Sequence, residues 1–512
     1  MKTPSDDLFL LIKSLSKTEK RYFKKFSDLH GKEDNQYLRL FDAIAAEKVY
    51  DEDALRKKFQ GQAFLRQLPV AKNYLYSKIL DSLEFFHRDA SIHSSVRRNI
   101  FRAEVLQKKG LYDQSMKLLR KARKEAAELD LFHALLEIDT LWEFNAYLEK
   151  YDLHGLEKLS SQAIKTSELM NAAIQCRSLS LQMVSLFNQY YQTRNRKFLE
   201  QGKKLMHHSF FRRTEDIKPF SGKLRIYEAK FFYHYACRNL EPACTEGEKA
   251  ILLCSSSSLQ LKNNIKMYMV LLSNLFYVRC EQRKFEEAQK YLHRLSETSA
   301  FAKTHSLRAK YYYLHNSTTL HFLCHTKKIR ELEKKLPVII NEYETHQAEM
   351  SNFEKIGLLM NISISFFYIG NLKQSIHFQN ILRNEFDVSA NPEAQYFLNI
   401  FYLITHYDSG HHEILPHLVK SFNRFIKKRD HVSEIETVMV DLLRKTPQPG
   451  KDNKSPGDSF SEKEAFTKVK KEIEKLPYDK AHHYILKYFD VATWLESKIR
   501  NKSFQEIIKE KS

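Results

Sequence analysis

The chain has 512 residues, of which 83 are Lys or Arg and 63 are Asp or Glu, giving a formal net charge of +20 at pH 7. It contains only 12 glycines and 11 prolines, far below their usual combined share of about 12%. A strand-rich fold needs more turns than so few of these residues supply, so the composition predicts an almost entirely helical chain.

Targeting and membrane signals are weak. The apolar run from Leu8 to Ile12 is short and follows two acidic residues, unlike a secretory signal. The longest nearly apolar stretch, Met267 to Val278, is shorter than the ~20 residues of a membrane span. The six cysteines occur singly, as is typical of reduced thiols. We therefore expect a cytoplasmic protein with no disulfide, zinc finger or membrane contact.

Residues 1–95 are predicted to form a separate helical module. Ser16 and Glu19 have the spacing of a capping box, and a second helix is expected around Phe41. A short helix should begin near Asp51, and Pro69 suits the first turn of a long helix.

The last two of these helices also suggest a DNA-binding helix-turn-helix over residues 50–90. Their connection, however, is about nine residues long instead of three or four. The helix that would read DNA carries Lys72, Asn73, Tyr76 and Lys78, opposed by Asp81 and Glu84.

Residues 96–444 repeat one helix-turn-helix pattern. Most copies have a large residue after a turn, with apolar or small residues three, seven and ten positions later, as in Tyr112, Ser115, Leu119 and Ala122. The third copy, with Gln201 and His208 at two of these positions, is weak. These positions share one face of a helix. Starts 40 to 45 residues apart predict eight stacked helix pairs. The copies begin at Tyr112, Leu153, Phe198, Leu240, Phe285, Ile329, Leu372 and His412.

The pattern resembles the tetratricopeptide repeat, whose second helix follows a Gly-x-Tyr turn and carries a small residue three places after the aromatic. Gly110, Tyr112 and Ser115 match it, with Ala103 at a small position of the preceding helix. A second match consists of Ser363, Phe366, Gly370, Leu372 and Ser375. The period of about 43 residues is longer than the family's 34 or so.

The resemblance covers roughly residues 96–430 and implies an all-α fold, a right-handed α-solenoid with helical N- and C-terminal extensions. Pro337 falls inside a second helix and is expected to break or kink it. Residues 445–461 contain three prolines and two glycines, which indicates a linker. Residues 462–512 are predicted to be a helical appendage, with Ser503 and Glu506 capping its last helix. It either docks on the last repeat or binds a partner.

Positive charge concentrates between Arg194 and Arg225. The simplest interpretation is that these charges belong to a solvent-exposed helix face and loop with no binding role. Otherwise the patch attracts an acidic protein or peptide, which we favour over nucleic acid. The candidate partner-binding residues are Arg194, Arg196, Lys197, Lys203, Lys204, Arg212 and Arg213.

The sequence contains no complete enzyme, metal or cofactor motif. His321, Cys324 and His325 share a helical face, but no fourth ligand lies nearby in sequence. His412, Glu413 and His417 have the wrong spacing for a zinc-protease helix. We therefore expect a non-enzymatic scaffold that binds a protein segment on the solenoid surface. The alternative is a transcriptional regulator in which the N-terminal helix-turn-helix binds nucleic acid and the repeats act as a sensor.

Overall fold

The computed structural model describes residues 6–28, 34–88, 91–150, 153–193, 195–388, 392–426, 462–475 and 487–511. Within these ranges the chain is all-helical, with 25 α-helices and no strand, as the composition predicted. The chain divides into two compact units, Met1–Met170 and Asn171–Ser512. The predicted domain boundaries near residues 95 and 444 stay predictions, and the predicted linker at 445–461 lies outside the described residues.

The first unit contains eight helices and the beginning of a ninth. They are α1 (Asp7–Ser14), α2 (Lys17–Asp28), α3 (Asp34–Ala46), α4 (Glu52–Lys58), α5 (Leu68–His87), α6 (Ile92–Lys108), α7 (Tyr112–Glu128), α8 (Phe132–Lys150) and α9 (Leu153–Thr193).

The second unit continues with sixteen helices, the last three of which are C-terminal to residue 461. They are α10 (Lys197–Leu205), α11 (Ser209–Arg212), α12 (Phe220–Ala236), α13 (Leu240–Cys254), α14 (Ser258–Asn263), α15 (Ile265–Glu281), α16 (Phe285–Glu297), α17 (His305–His325), α18 (Ile329–His346), α19 (Asn352–Tyr368), α20 (Leu372–Glu385), α21 (Pro392–Asp408), α22 (Leu415–Ile426), α23 (Glu462–Lys475), α24 (Val491–Ile499) and α25 (Phe504–Glu510).

The N-terminal helices begin where the sequence predicts. The Glu19 backbone N–H donates to the Ser16 hydroxyl at 3.2 Å, and the Ser16 N–H donates to the Glu19 carboxylate at 2.7 Å, which forms the predicted capping box of α2. Asp51 caps α4 by accepting from the backbone of Ala54 at 2.9 Å. Pro69 lies in the first turn of α5. Buried apolar residues hold these helices together, among them Leu8, Ile12, Phe23, Phe41, Ile44, Leu55, Leu75 and Ile79.

The predicted starts of the repeats' second helices are largely confirmed. Helices α7, α9, α13, α16, α18 and α20 begin at the residues that open the first, second, fourth, fifth, sixth and seventh copies. Helix α10 begins one residue before Phe198, whereas α22 begins three residues after His412. The positions that follow are mostly buried in the first copy and in the fourth to eighth, for example Ser115 and Leu119 on α7. In the second and third copies the expectation fails, because Ser160, Gln201 and His208 are exposed. The spacing of apolar and small residues therefore locates these helices.

One sequence expectation is wrong, and a second is wrong in part. Separate helices were expected for the end of the second copy and the start of the third, but α9 runs through this region as one helix of 41 residues. No Gly or Pro occurs between Leu156 and Thr193 to end it. Of the break or kink expected at Pro337, the break does not occur, since α18 continues to His346. Burial of Leu336 and Ile339 on either side of Pro337 opposes the cost of about 3 kcal/mol that an internal proline carries.

Consecutive helices of the second unit pack in pairs: α12 with α13, α15 with α16, α17 with α18, α19 with α20 and α21 with α22. The first helix of one pair also contacts the first helix of the next, from α15 through α17 and α19 to α21. Small residues permit this close packing. The Ser363 hydroxyl donates to the Ser375 carbonyl at 3.1 Å and the Ser375 hydroxyl to the Ser363 carbonyl at 2.8 Å, so the backbones of α19 and α20 nearly touch.

The C-terminal helices are part of the same apolar core. Phe466 of α23 and Phe489, Trp494 and Phe504 are completely or almost completely buried among side chains of the helix pairs. The Gln505 amide donates to the Phe367 carbonyl at 2.7 Å. Of the two roles considered for this segment, the described residues therefore show docking on the preceding helices.

Candidate functional site: a basic surface on α10 and α11

The predicted patch lies on two short helices that follow α9. Arg196 directly precedes α10, Lys197, Lys203 and Lys204 lie on α10, and Arg212 ends α11 with Arg213 after it. All six side chains are exposed. Arg194 lies outside the described residues.

A small apolar cluster fixes the position of these helices. Phe211 and Ile217 are buried with Cys176 and Met183 of α9. Gly202 of α10 lies against α12: a Cβ atom there would come within 3.1 Å of the Tyr233 ring. Because α10 buries this glycine face, its lysines are directed into solvent.

Local hydrogen bonds shape the turn around α11. The backbone N–H of Phe210 donates to His208 Nδ1 at 3.3 Å, which caps the helix. The buried hydroxyl of Thr214 donates to the carbonyls of Phe210 and Phe211 at 3.1 and 3.2 Å. The chain therefore leaves α11 in a defined direction, and Arg212 and Arg213 are held at the surface.

Some basic residues of this region form ion pairs with carboxylates, and others do not. Lys223 lies 3.7 Å from the Glu215 carboxylate and Arg225 lies 2.8 Å from Glu228. The Tyr227 hydroxyl donates to Glu215 at 2.6 Å, and this bond holds the pKa of Glu215 below its ordinary value. Among the described residues, by contrast, no carboxylate forms an ion pair with any of the candidate residues, which are Arg196, Lys197, Lys203, Lys204, Arg212 and Arg213.

An open groove of about 570 Å³ lies between α9 and α10 and is lined by one of these cations, Lys204. The sequence did not identify this groove, because it depends on how α9 packs against α10. Its lining consists of Gln182, Ser185, Leu186, Gln201, Lys204 and Leu205. Neutral hydrogen-bonding groups and one lysine thus border a cavity that admits a side chain of a partner.

Of the histidines that the sequence singled out, His321 and His325 pack against other side chains of the second unit, whereas His417 is exposed. The His321 ring lies 5.0 Å from the Tyr277 ring and 4.2 Å from the His325 ring. Burial lowers the pKa of His325 to about 4 and that of His321 well below its ordinary value. The part of the chain that the structure describes holds no group of three or more His, Cys, Asp or Glu side chains arranged to bind a metal ion.

The possible DNA-reading helix, α5, uses its first lysine within the protein. Lys72 Nζ lies 2.7 Å from the Tyr50 hydroxyl and 2.9 Å from the Glu52 carboxylate. Asn73 is exposed, while Tyr76 and Lys78 are half-buried. Lys72 therefore ties α5 to α4 instead of pointing freely into solvent.

Comparison of the chain with protein-family models, with curated proteins and with solved structures gave no match. None of the helices in the described ranges is both long and apolar enough to cross a membrane.

Proposed function

We propose that this protein is a non-enzymatic cytosolic scaffold, a right-handed solenoid of tetratricopeptide-like helix pairs that binds an acidic segment of another protein. One observation carries the proposal: Lys203, Lys204, Arg212 and Arg213 are exposed without an ion pair to any described carboxylate, and Lys204 lines a groove. Exposed cations that no internal carboxylate neutralises attract a partner of opposite charge and speed its association.

The solenoid part of the proposal is supported by the packing of the second unit. Each helix pair from α15 to α22 contacts its neighbours in chain order, and a single apolar cluster extends through these pairs. A core that grows by addition of similar pairs is the property that defines solenoid repeats. Such folds offer long surfaces for binding other proteins.

The dimensions favour a peptide over duplex nucleic acid. Helix α10 has 9 residues and is thus about 13 Å long, a length that about four residues of an extended peptide cover. The adjacent groove supplies neutral polar groups and Leu186 and Leu205 for the side chains of such a peptide. A duplex presents a rigid row of phosphates and has no side chain to place there.

The state of the thiols argues against one kind of enzyme chemistry, nucleophilic catalysis by a buried cysteine. Five of the six cysteines are buried, and burial raises the pKa of Cys244, Cys254 and Cys324 to about 12. A thiol with so high a pKa remains protonated and is a poor nucleophile.

The proposal is tested by affinity purification from the native cytosol with three forms of the full chain as bait. One is unchanged, one carries Lys203→Glu, Lys204→Glu and Arg212→Glu, and the control carries the same charge change on α18, through Arg330→Glu, Lys334→Glu and Lys335→Glu. We expect a protein that is retained by the unchanged and control baits and lost from the first variant. Identical retention by all three baits contradicts the proposal.

A further inference from the structure

Helix α6 of the first unit exposes an apolar strip. Phe101 is 66% exposed and Val105 is 43% exposed. They are one helical turn apart, so both lie on one face, whereas Val96, Ile100 and Ala103 on the opposite side are buried. Two large apolar side chains side by side in solvent indicate a surface that another group covers.

Helices of the second unit reveal what packs on this face of a first helix. Gly110 and Gly370 both have a positive φ, and each follows the first helix of a pair. Phe101 and Val105 lie nine and five residues before Gly110. The residues at the same distances before Gly370 are Asn361 and Ser365. Asn361 and Ser365 are buried, however. The Ser365 hydroxyl lies 3.6 Å from the thiol of Cys324, on the first helix of the preceding pair.

The same comparison holds one pair earlier. Thr318 and Phe322 of α17 lie nine and five residues before Lys327, which also has a positive φ, and both are buried. The Phe322 ring is 6.4 Å from Phe276 on the preceding first helix, α15. In α17 and α19 this face therefore holds another helix, and in α6 the corresponding positions are bare.

The surroundings of the strip are basic. Arg97, Arg102 and Lys108 are exposed, and the structure shows no ion pair between them and a described residue. Glu104 is the only acidic residue on α6. The strip and its three cations together are named the α6 face below.

We propose that the α6 face binds an amphipathic helix of another protein, with its apolar side on Phe101 and Val105 and with Asp or Glu along its edges. The helical form follows from what covers the corresponding positions in α17 and α19, and the acidic edges follow from the charge of Arg97, Arg102 and Lys108. A second copy of this chain is a poor occupant, because two α6 faces would bring like charges together. This site is separate from the basic surface on α10 and does not depend on the proposed function.

The experiment measures the affinity of the full chain for a labelled synthetic helix of about 18 residues, long enough to be helical, with leucines on one side and glutamates along both edges. We expect Phe101→Ser to weaken binding at least about tenfold, as is common for a central aromatic contact. Phe353→Ser is the matched control, since Phe353 is 61% exposed on α19, and it should change the affinity less than about twofold. Both sites are exposed, so both variants should unfold at the parent temperature.

Further probes separate the proposal from its rivals. Arg97→Glu with Arg102→Glu should weaken binding and flatten its salt dependence, and a peptide with Lys in place of Glu should bind less well. Replacing Lys203, Lys204 and Arg212 by Glu should not change the factor by which Phe101→Ser weakens binding of the synthetic helix. The proposal is overturned if Phe101→Ser and Phe353→Ser behave alike, if a scrambled peptide or a short DNA duplex binds as tightly, or if sedimentation shows a dimer that Phe101→Ser dissociates.

Discussion

Trp494 donates its indole N–H to the carboxylate of Asp408 at 2.9 Å. Lys498 lies 2.6 Å from the same carboxylate, and Trp494 is completely buried. Burial raises the pKa of Asp408, while Lys498 and the indole favour its ionised form. These contacts fasten α24 to the end of α21, so residues 487–511 contribute to the stability of the second unit.

Replacing Trp494 tests this attachment. Trp494→Ala should destabilise the protein by about 3–5 kcal/mol, because it leaves a cavity and removes the donor to a buried carboxylate. Lys509→Ala, an exposed change on α25, should alter stability by less than about 0.5 kcal/mol. Urea unfolding followed by circular dichroism measures both. Equal midpoints for the two variants would show that α24 is not part of the cooperative core.

Ala288 tests the register of the repeats. It is completely buried on α16, three residues after Phe285, where a small residue permits close helix contact. Ala288→Arg should destabilise by several kcal/mol, roughly 3 or more, since it forces a charge into the interface. The adjacent Gln289 is exposed, so Gln289→Arg is the control and should be nearly neutral. An unchanged denaturation midpoint for Ala288→Arg would mean that the register of this copy is wrong.

Helix positions in the proposed repeats could be predicted because the signals are local. A turn residue, a large first residue and a small one three places later, as at Gly370, Leu372 and Ser375, all lie within a few residues. The attachment of the C-terminal segment could not be predicted, because it depends on contacts between residues far apart in sequence. Lys487, for example, lies 3.1 Å from the hydroxyl of Tyr235, 252 residues away.

Some features of the candidate sites were also visible in the sequence, and others needed the structure. The cations of α10 and α11 are neighbours in sequence, so their concentration was visible without a structure. The groove next to them needs α9 and α10 to pack against each other, and the bare α6 face becomes evident only when the burial of Phe101 is compared with that of Asn361. An exposed and a buried apolar position have the same pattern in sequence.

Acid should weaken the second unit through His325. In the folded protein burial lowers its pKa to about 4, whereas the unfolded chain titrates near about 6.5. Between these two pH values the unfolded chain binds a proton at His325 that the folded protein does not bind. The contribution of neutral His325 to the free energy of unfolding is therefore complete above pH about 6.5. It is lost as the pH falls towards 4, at up to about 1.4 kcal/mol per pH unit.

His325→Gln should therefore reduce the fall in stability between pH 7 and pH 4.5, as measured from urea midpoints across that interval. His293→Gln is the control, because the His293 side chain is largely exposed, and it should preserve the pH dependence of the parent. If His325→Gln shows the same pH dependence as the parent, the histidine is not held neutral in the folded protein.

The exposed cations of α10 and α11 are proposed to recruit an acidic protein segment. The most direct test of this proposal is the association rate constant for a labelled glutamate-rich peptide, measured by stopped flow from about 50 to 200 mM salt. The account predicts that Lys203→Glu, Lys204→Glu and Arg212→Glu together slow association and remove most of its salt dependence, while the same charge change on α18 does so much less. A short DNA duplex should bind weakly and without sequence preference. Unchanged peptide kinetics in the α10 and α11 variant, or a sequence-selective DNA complex that survives it, would contradict the account.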